Sequence, residues 1–183
     1  MICGRVVEEQ RGSMPFRLVH GESLVACASW ALGEAGVTSI DLTVPWVDVL
    51  EVLDEPGSSY VLHDALCPLT PPAFLTECAI RAAASGRVVV GVRPVTDTVK
   101  ELVGDLVGGT VDRESLVALA SPVAIPAAVA AELTTAPAAD LVALVTELRG
   151  RYDVEFVEAP PAARRVTNSD ELRLLESLTH PGR

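Results

Sequence analysis

Short β-branched runs alternate with helix-length apolar stretches along this chain, and that alternation limits the folds open to it. RVVVGVRP at 87–94 is the clearest strand, with Val88, Val89, Val90 and Val92 ended by Pro94. SIDLTVP and YVLHDAL before it and YDVEFVEAP after it read as further strands. Between them, ESLVACASWALGEAG reads as a helix whose Leu24, Ala28, Ala31 and Leu32 share a face, with Gly36 as its stop. DVLEVLDEPGSS gives a helical scrap and a turn. FLTECAIRAAASG, PAAVAAEL, DLVALVTELRG and SDELRLLESL read as helices, and Asn168 and Glu171 have capping-box spacing. Strands interleaved with helices imply an α/β fold, with a mostly parallel sheet covered on both faces.

The 183 residues suffice for one domain over 1–183, able to bury roughly 70% of the unfolded chain's surface without a metal or disulfide. With 14 basic and 25 acidic residues the chain is strongly acidic, which argues against nucleic acid or an anionic membrane as partner. It leaves room for a phosphorylated small molecule held by a few local arginines. Cys3, Cys27, Cys67 and Cys78 show no CxxC spacing and no histidine pairing, so no zinc site is expected. MICGRVVEEQ lacks the apolar region of a signal peptide, and no apolar run reaches membrane-span length. A cytoplasmic protein with reduced thiols is the expectation.

Residues 96–115 break the alternation. They contain three glycines and no clear period, and read either as a surface loop or as a β-hairpin arm, at about 97–115, with Gly108 and Gly109 at its tip. The strand before them ends in Thr96, Asp97, Thr98 and Lys100, and strand ends are where α/β folds place ligands.

YVLHDALCPLTPP, VRPVTDTVK, VDRESLVALASPVAIP and RRVTNSDELRLLESL follow one another in the order found in methylerythritol phosphate cytidylyltransferases, and the chain resembles that family over most of 58–178. The resemblance implies a Rossmann-like nucleotidyltransferase fold with a protruding β-arm. It also implies CMP transfer from CTP to a sugar-alcohol phosphate with Mg²⁺, in isoprenoid biosynthesis. Family members are homodimers whose arms reach the neighbouring subunit's pocket. By that resemblance, Asp64 in HDA is the acidic residue near metal and nucleotide, and a strand-end carboxylate suits Mg²⁺. Thr98 and Arg113 are substrate-phosphate contacts from the arm. Arg165 stands where the family has a lysine, and its fork can hold phosphate bidentately. Taken alone, each of these residues reads as an ordinary turn or surface residue.

The departures cluster on the CTP side. The family's loop, Gly-x-Gly-x-Arg leading to Pro-Lys, corresponds here to CGRVVEEQRGSMPFRL, in which Gly4 and Gly12 remain as nucleotide-binding candidates. Phe16 takes the lysine's place and Glu9 the arginine's, and Arg11 substitutes only if the loop is shorter. The Gly-Gly-x-x-Arg-x-x-Ser-Val segment has no counterpart, Cys67 replaces the arginine of HDAARP, and Ser121, Pro122 and Val123 replace TPQ. No catalytic set is intact. Each lost preorganised charge typically costs about 10²–10³ in rate. The expectation is therefore a family-like protein with weak or lost transfer, as a homodimer or a heterodimer with an active paralogue. The alternatives are an enzyme for another nucleotide or acceptor, or a non-catalytic sugar-phosphate binder.

Overall fold

A computed structural model describes residues 1–179. The chain opens with strand β1 (Ile2–Val7), a 3₁₀ turn at Met14–Phe16, and the short pair β2 (Leu18–Val19) and β3 (Glu22–Ser23). Helix α1 (Leu24–Glu34), β4 (Thr38–Ser39), α2 (Trp46–Leu53), β5 (Ser59–Asp64), α3 (Pro72–Ser85) and β6 (Val88–Pro94) follow. The hairpin β7 (Val99–Val103) and β8 (Leu106–Val111) leads to β9 (Val117–Pro126). The chain then runs through α4 (Ala127–Ala130), α5 (Leu141–Arg149), β10 (Val154–Glu158) and α6 (Ser169–Leu178).

The central sheet has six strands in the order β10-β6-β9-β5-β1-β4. All neighbours are parallel except β9, which runs antiparallel between β5 and β6. Burial explains the sequence pattern: Val88, Val89 and Val90 are fully enclosed because helices cover both faces. On one face α2, α4 and α5 pack Val49, Leu53, Val129, Leu144 and Leu148 onto Leu62, Val90 and Ile125. On the other, α1 and α3 pack Leu32, Leu75 and Cys78 onto Val61, Val89 and Ala124. A smaller cluster seats α6, through Leu172 and Leu175, on Leu24, Leu66 and Val19.

Three sequence expectations need correction. SIDLTVP is not a full strand, since pairing stops at Ser39. Asp41 then accepts hydrogen bonds from the Thr43 amide and hydroxyl (2.8 and 2.7 Å), a local turn that competes with the ladder. The arm is a hairpin, but its tip is Gly104–Asp105, because Val103 pairs with Leu106. Gly104 has φ +62°, the left-handed conformation a two-residue hairpin turn needs at its first position. Gly108 and Gly109 lie inside β8 instead, and a side chain at Gly108 would crowd Glu101 and Val103 at 3.3 Å. PAAVAAEL yields only the four-residue α4. Strands β1 and β9 went unannounced: Gly4 and Arg5 interrupt the first, and Ser121 and Pro122 interrupt the second.

Among the described residues, no helix is long and apolar enough to cross a membrane. All four cysteines are free thiols.

Gly4 is buried in mid-strand, paired with Val61 of β5. A Cβ there would lie 2.0 Å from the Val61 carbonyl oxygen, so backbone would have to move. Overpacking of this kind costs about 2 kcal/mol. Gly4→Ala is expected to lower the thermal unfolding midpoint by about 6 °C, and an unchanged midpoint would show that β1 and β5 have more room than this.

Candidate functional site

The chain leaves β1 for β4 on one side and returns to β5 on the other, so β1 and β5 are neighbours flanking a topological switch point. Open α/β sheets bind ligands in the crevice beyond the carboxyl ends of such strands. The crevice here is a cavity of about 460 Å³ whose lining includes Arg11, Asp64, Asp140, Arg165, Thr167 and Glu171.

Asp64 closes β5 and is almost wholly enclosed. Its Oδ1 accepts from Arg11 Nε (3.0 Å) and from the Leu66 amide (3.0 Å). Its Oδ2 accepts from Arg11 Nη2 (3.3 Å) and Arg165 Nε (3.0 Å). Burial alone would push this carboxyl up. The Arg11 hydrogen bonds, the Leu66 amide and the two guanidinium charges outweigh it, so the net direction is down. The backbone amide of Asp64 donates to Ser121 Oγ (3.0 Å), and that hydroxyl also meets His63 Nδ1 at 2.6 Å. Burial lowers the His63 pKa to about 4, which leaves the ring neutral at pH 7.

Arg11 and Arg165 differ in what they have left to offer. Arg11 donates further to the Glu9 carbonyl (2.9 Å) and the Ala139 carbonyl (3.0 Å), and only 7% of its side chain is exposed. Arg165 is 35% exposed and spends only Nε on Asp64, so its terminal amino groups have no hydrogen-bond partner among the described residues. The other carboxylates of the lining are engaged. Asp140 caps α5 by accepting from the Val142 and Ala143 amides, and Glu171 accepts from the Thr167 amide and hydroxyl.

The remaining candidates lie elsewhere. Gly12 has φ +58° in the turn after β1, beside Arg11, whereas Gly4 belongs to the strand and not to any loop. Thr98 is exposed at the root of the arm. Arg113 donates to the Thr96 carbonyl (2.8 Å) and lines a second cavity of about 440 Å³ with Val92, Glu114 and Glu158. Thus one chain brings Arg11, Asp64 and Arg165 together and leaves Thr98 and Arg113 apart from them. Glu9 is not a stray negative charge, because Arg5 holds it at 2.7 and 3.0 Å. The Phe16 ring is 65% exposed. Burial, with Asp64 nearby, pushes the Cys67 thiol well up, so it is inert.

Sequence reading missed Arg5, Ser121 as the Asp64 support, and the Ala139 carbonyl. A carbonyl acceptor leaves no trace in residue type, and Arg5 sits in a stretch that did not read as a strand. Asp140 and Glu171 carried a signal, since each stands at the start of a helical pattern.

Comparison with known proteins gives the site its context. Residues 43–180 match the family model for 2-C-methyl-D-erythritol 4-phosphate cytidylyltransferase. The chain belongs to this family. The match takes in Asp64, Thr98, Arg113 and Arg165, while Gly4, Arg11 and Gly12 precede it. A cytidylyltransferase of Nocardia farcinica is 38% identical over 127 residues, covering 67% of this chain and 54% of the relative. One from Rhodococcus opacus is 33% identical over 140 residues, covering 73% and 59%. The matched part thus spans little more than half the length of these curated relatives. The crystal structure of the Thermus thermophilus cytidylyltransferase superimposes with a TM-score of 0.68 at 22% identity, covering 96% of each chain. That of Francisella tularensis gives 0.62 at 13% identity, covering 94% of this chain and 97% of its own. Both share the cytidylyltransferase fold.

A Mg²⁺ site, which family membership suggests, needs carboxylate oxygens open to the ion. All four acceptor directions of the Asp64 carboxylate are used, two of them by Arg11 and one by Arg165. Among the described residues, no three His, Cys, Asp or Glu side chains are grouped to hold a metal ion. The Asp64 side chain as arranged does not fit Mg²⁺.

The folded-state pKa of Asp64 lies below its ordinary value, so its contribution to stability is present at neutral pH and lost as pH falls through that lowered value. Asp64→Asn leaves two guanidiniums facing a neutral amide and is expected to cost about 3 kcal/mol at pH 7. Denaturant midpoints measured from pH 7 downwards should begin to converge for the two proteins near about pH 4, the ordinary carboxylate range, and meet only below the lowered value; a constant gap would show that Asp64 is not the titrating group.

Proposed function

We propose that this chain binds a phosphorylated ligand of the kind its family handles, CTP or a sugar-alcohol phosphate, at the Arg11–Asp64–Arg165 pocket. Cytidylyl transfer in it is weak or lost. The observation that carries this reading is the employment of Arg11. It is the cation that the turn after β1 sends into the pocket, and four hydrogen bonds tie it to Asp64, Glu9 and Ala139. Phosphoryl transfer depends on charge aimed at the reacting phosphates. A guanidinium engaged in this way has little left to give them, and the exposed Phe16 ring offers no charge.

The acceptor side is better furnished, with Thr98 and Arg113 on or beside an arm whose Leu102, Val103, Leu106 and Val107 are 66–75% exposed. A second copy of the chain, or an active paralogue, would cover that apolar ribbon and receive its Arg113. Such an exchange accounts for the separation of Arg113 from Arg165 within one chain.

Calorimetric titration with CTP and Mg²⁺, together with an assay for CMP transfer, tests the reading, and turnover at the rate of an ordinary nucleotidyltransferase overturns it. Phe16→Lys is the cleaner rescue variant, because changing Glu9 would strip the buried Arg5 of its partner. It is expected to tighten CTP binding about tenfold, the scale of one hydrogen bond to a charged group. Deleting residues 101–112 should convert an arm-held dimer to monomer on a sizing column, and an unchanged elution volume would assign the dimer contact elsewhere.

A further inference from the structure

We infer that Asp64 anchors arginines rather than a divalent cation, and that the pocket binds an oxyanion through the outer face of Arg165 without a metal. The inference deepens the proposed function and rests on its choice of pocket.

A divalent cation at Asp64 would have to displace both guanidiniums, and until it did so it would sit beside two positive charges in an enclosed place. Neither partner is easily displaced. Arg11 is fastened at Nε, Nη1 and Nη2 to Asp64 and to the Glu9 and Ala139 carbonyls. Oδ1 also caps the turn after β5 through the Leu66 amide. The carboxylate thus does for the arginines what a second shell does for a ligand: it fixes the orientation of Arg165 at Nε and turns its terminal edge outward. That edge carries four N–H groups in a plane suited to two oxygens of a phosphate.

The rest of the cavity supports the same reading. Its other acidic groups, Asp140 and Glu171, already accept two hydrogen bonds each from nearby backbone and hydroxyl donors. Those bonds occupy one oxygen of each carboxylate and point it at its own helix start. Among the side chains of this lining Arg165 holds the largest set of donors without partners, and the chemistry they take is a phosphate or diphosphate oxygen.

Inorganic pyrophosphate, titrated calorimetrically in EDTA and again in excess Mg²⁺, is the direct test. Binding in EDTA at least as tight as with Mg²⁺ is expected. Arg165→Met should weaken it at least tenfold, and Arg165→Lys, which keeps the charge but loses the fork, should fall between. Binding that appears only with Mg²⁺, or no binding in either buffer, overturns the inference. Mn²⁺ added alone and followed by electron spin resonance should bind wild type and Asp64→Asn alike; a Mn²⁺ site lost with Asp64 also overturns it. The two readings fail separately. CTP bound only with Mg²⁺ defeats this inference and leaves the proposed function standing, whereas pyrophosphate bound in EDTA with neither CTP nor a sugar-alcohol phosphate bound does the reverse.

Discussion

A single enclosed carboxylate organises this molecule's ligand edge. Asp64 lies at the end of a central strand, and through Arg11 and Arg165 it gathers the turn after β1 and the segment leading into α6. Through Arg11 the loop before α5 joins them, at the Ala139 carbonyl. Buried charges of this kind contribute little net stability over an apolar substitute, but removing one partner strands the others at high cost. The walls of the crevice are thereby set relative to one another by one group, in a place water scarcely reaches.

That arrangement depends on the sheet beneath it. The valine-rich β6 and the apolar faces of β5 and β9 make a rigid floor, clad on both faces. Strand β9 enters against the direction of its neighbours, which brings Ser121 under the backbone of Asp64 and beside the neutral ring of His63. The backbone amide of Asp64 is thus held by a hydroxyl from a distant stretch of chain, and replacing that serine by an apolar residue would leave the amide without its acceptor.

The fold class was legible from the sequence because β5, β6, β10 and the amphipathic helices announce themselves by period, although the interior strands β1 and β9 did not. Legibility failed where a strand carries polar residues for a reason outside its own period: Arg5 in β1 partners Glu9, and Ser121 in β9 partners Asp64. The glycines of 96–115 left a loop and a hairpin both open, and the tip of the hairpin was misplaced, since register decides which glycine must turn. Of the site, Asp64, Arg11 and Arg165 were named individually. Their convergence was not readable, because the contacts join residues 53 and 101 positions apart.

The edges of the structure have a consequence for how the protein meets its own kind. One end of the sheet is β4, two residues long, and the other is β10, which carries Glu155 and Glu158. A strand that brief, or one bearing charge, makes a poor template for another chain. The hairpin is different: it is a separate two-stranded ribbon with both outer edges open and exposed Leu102, Val103, Leu106 and Val107 along it. Four exposed aliphatic side chains thus lie together on one slender projection, whereas the chain as a whole carries a net charge of −11 that repels other copies of itself.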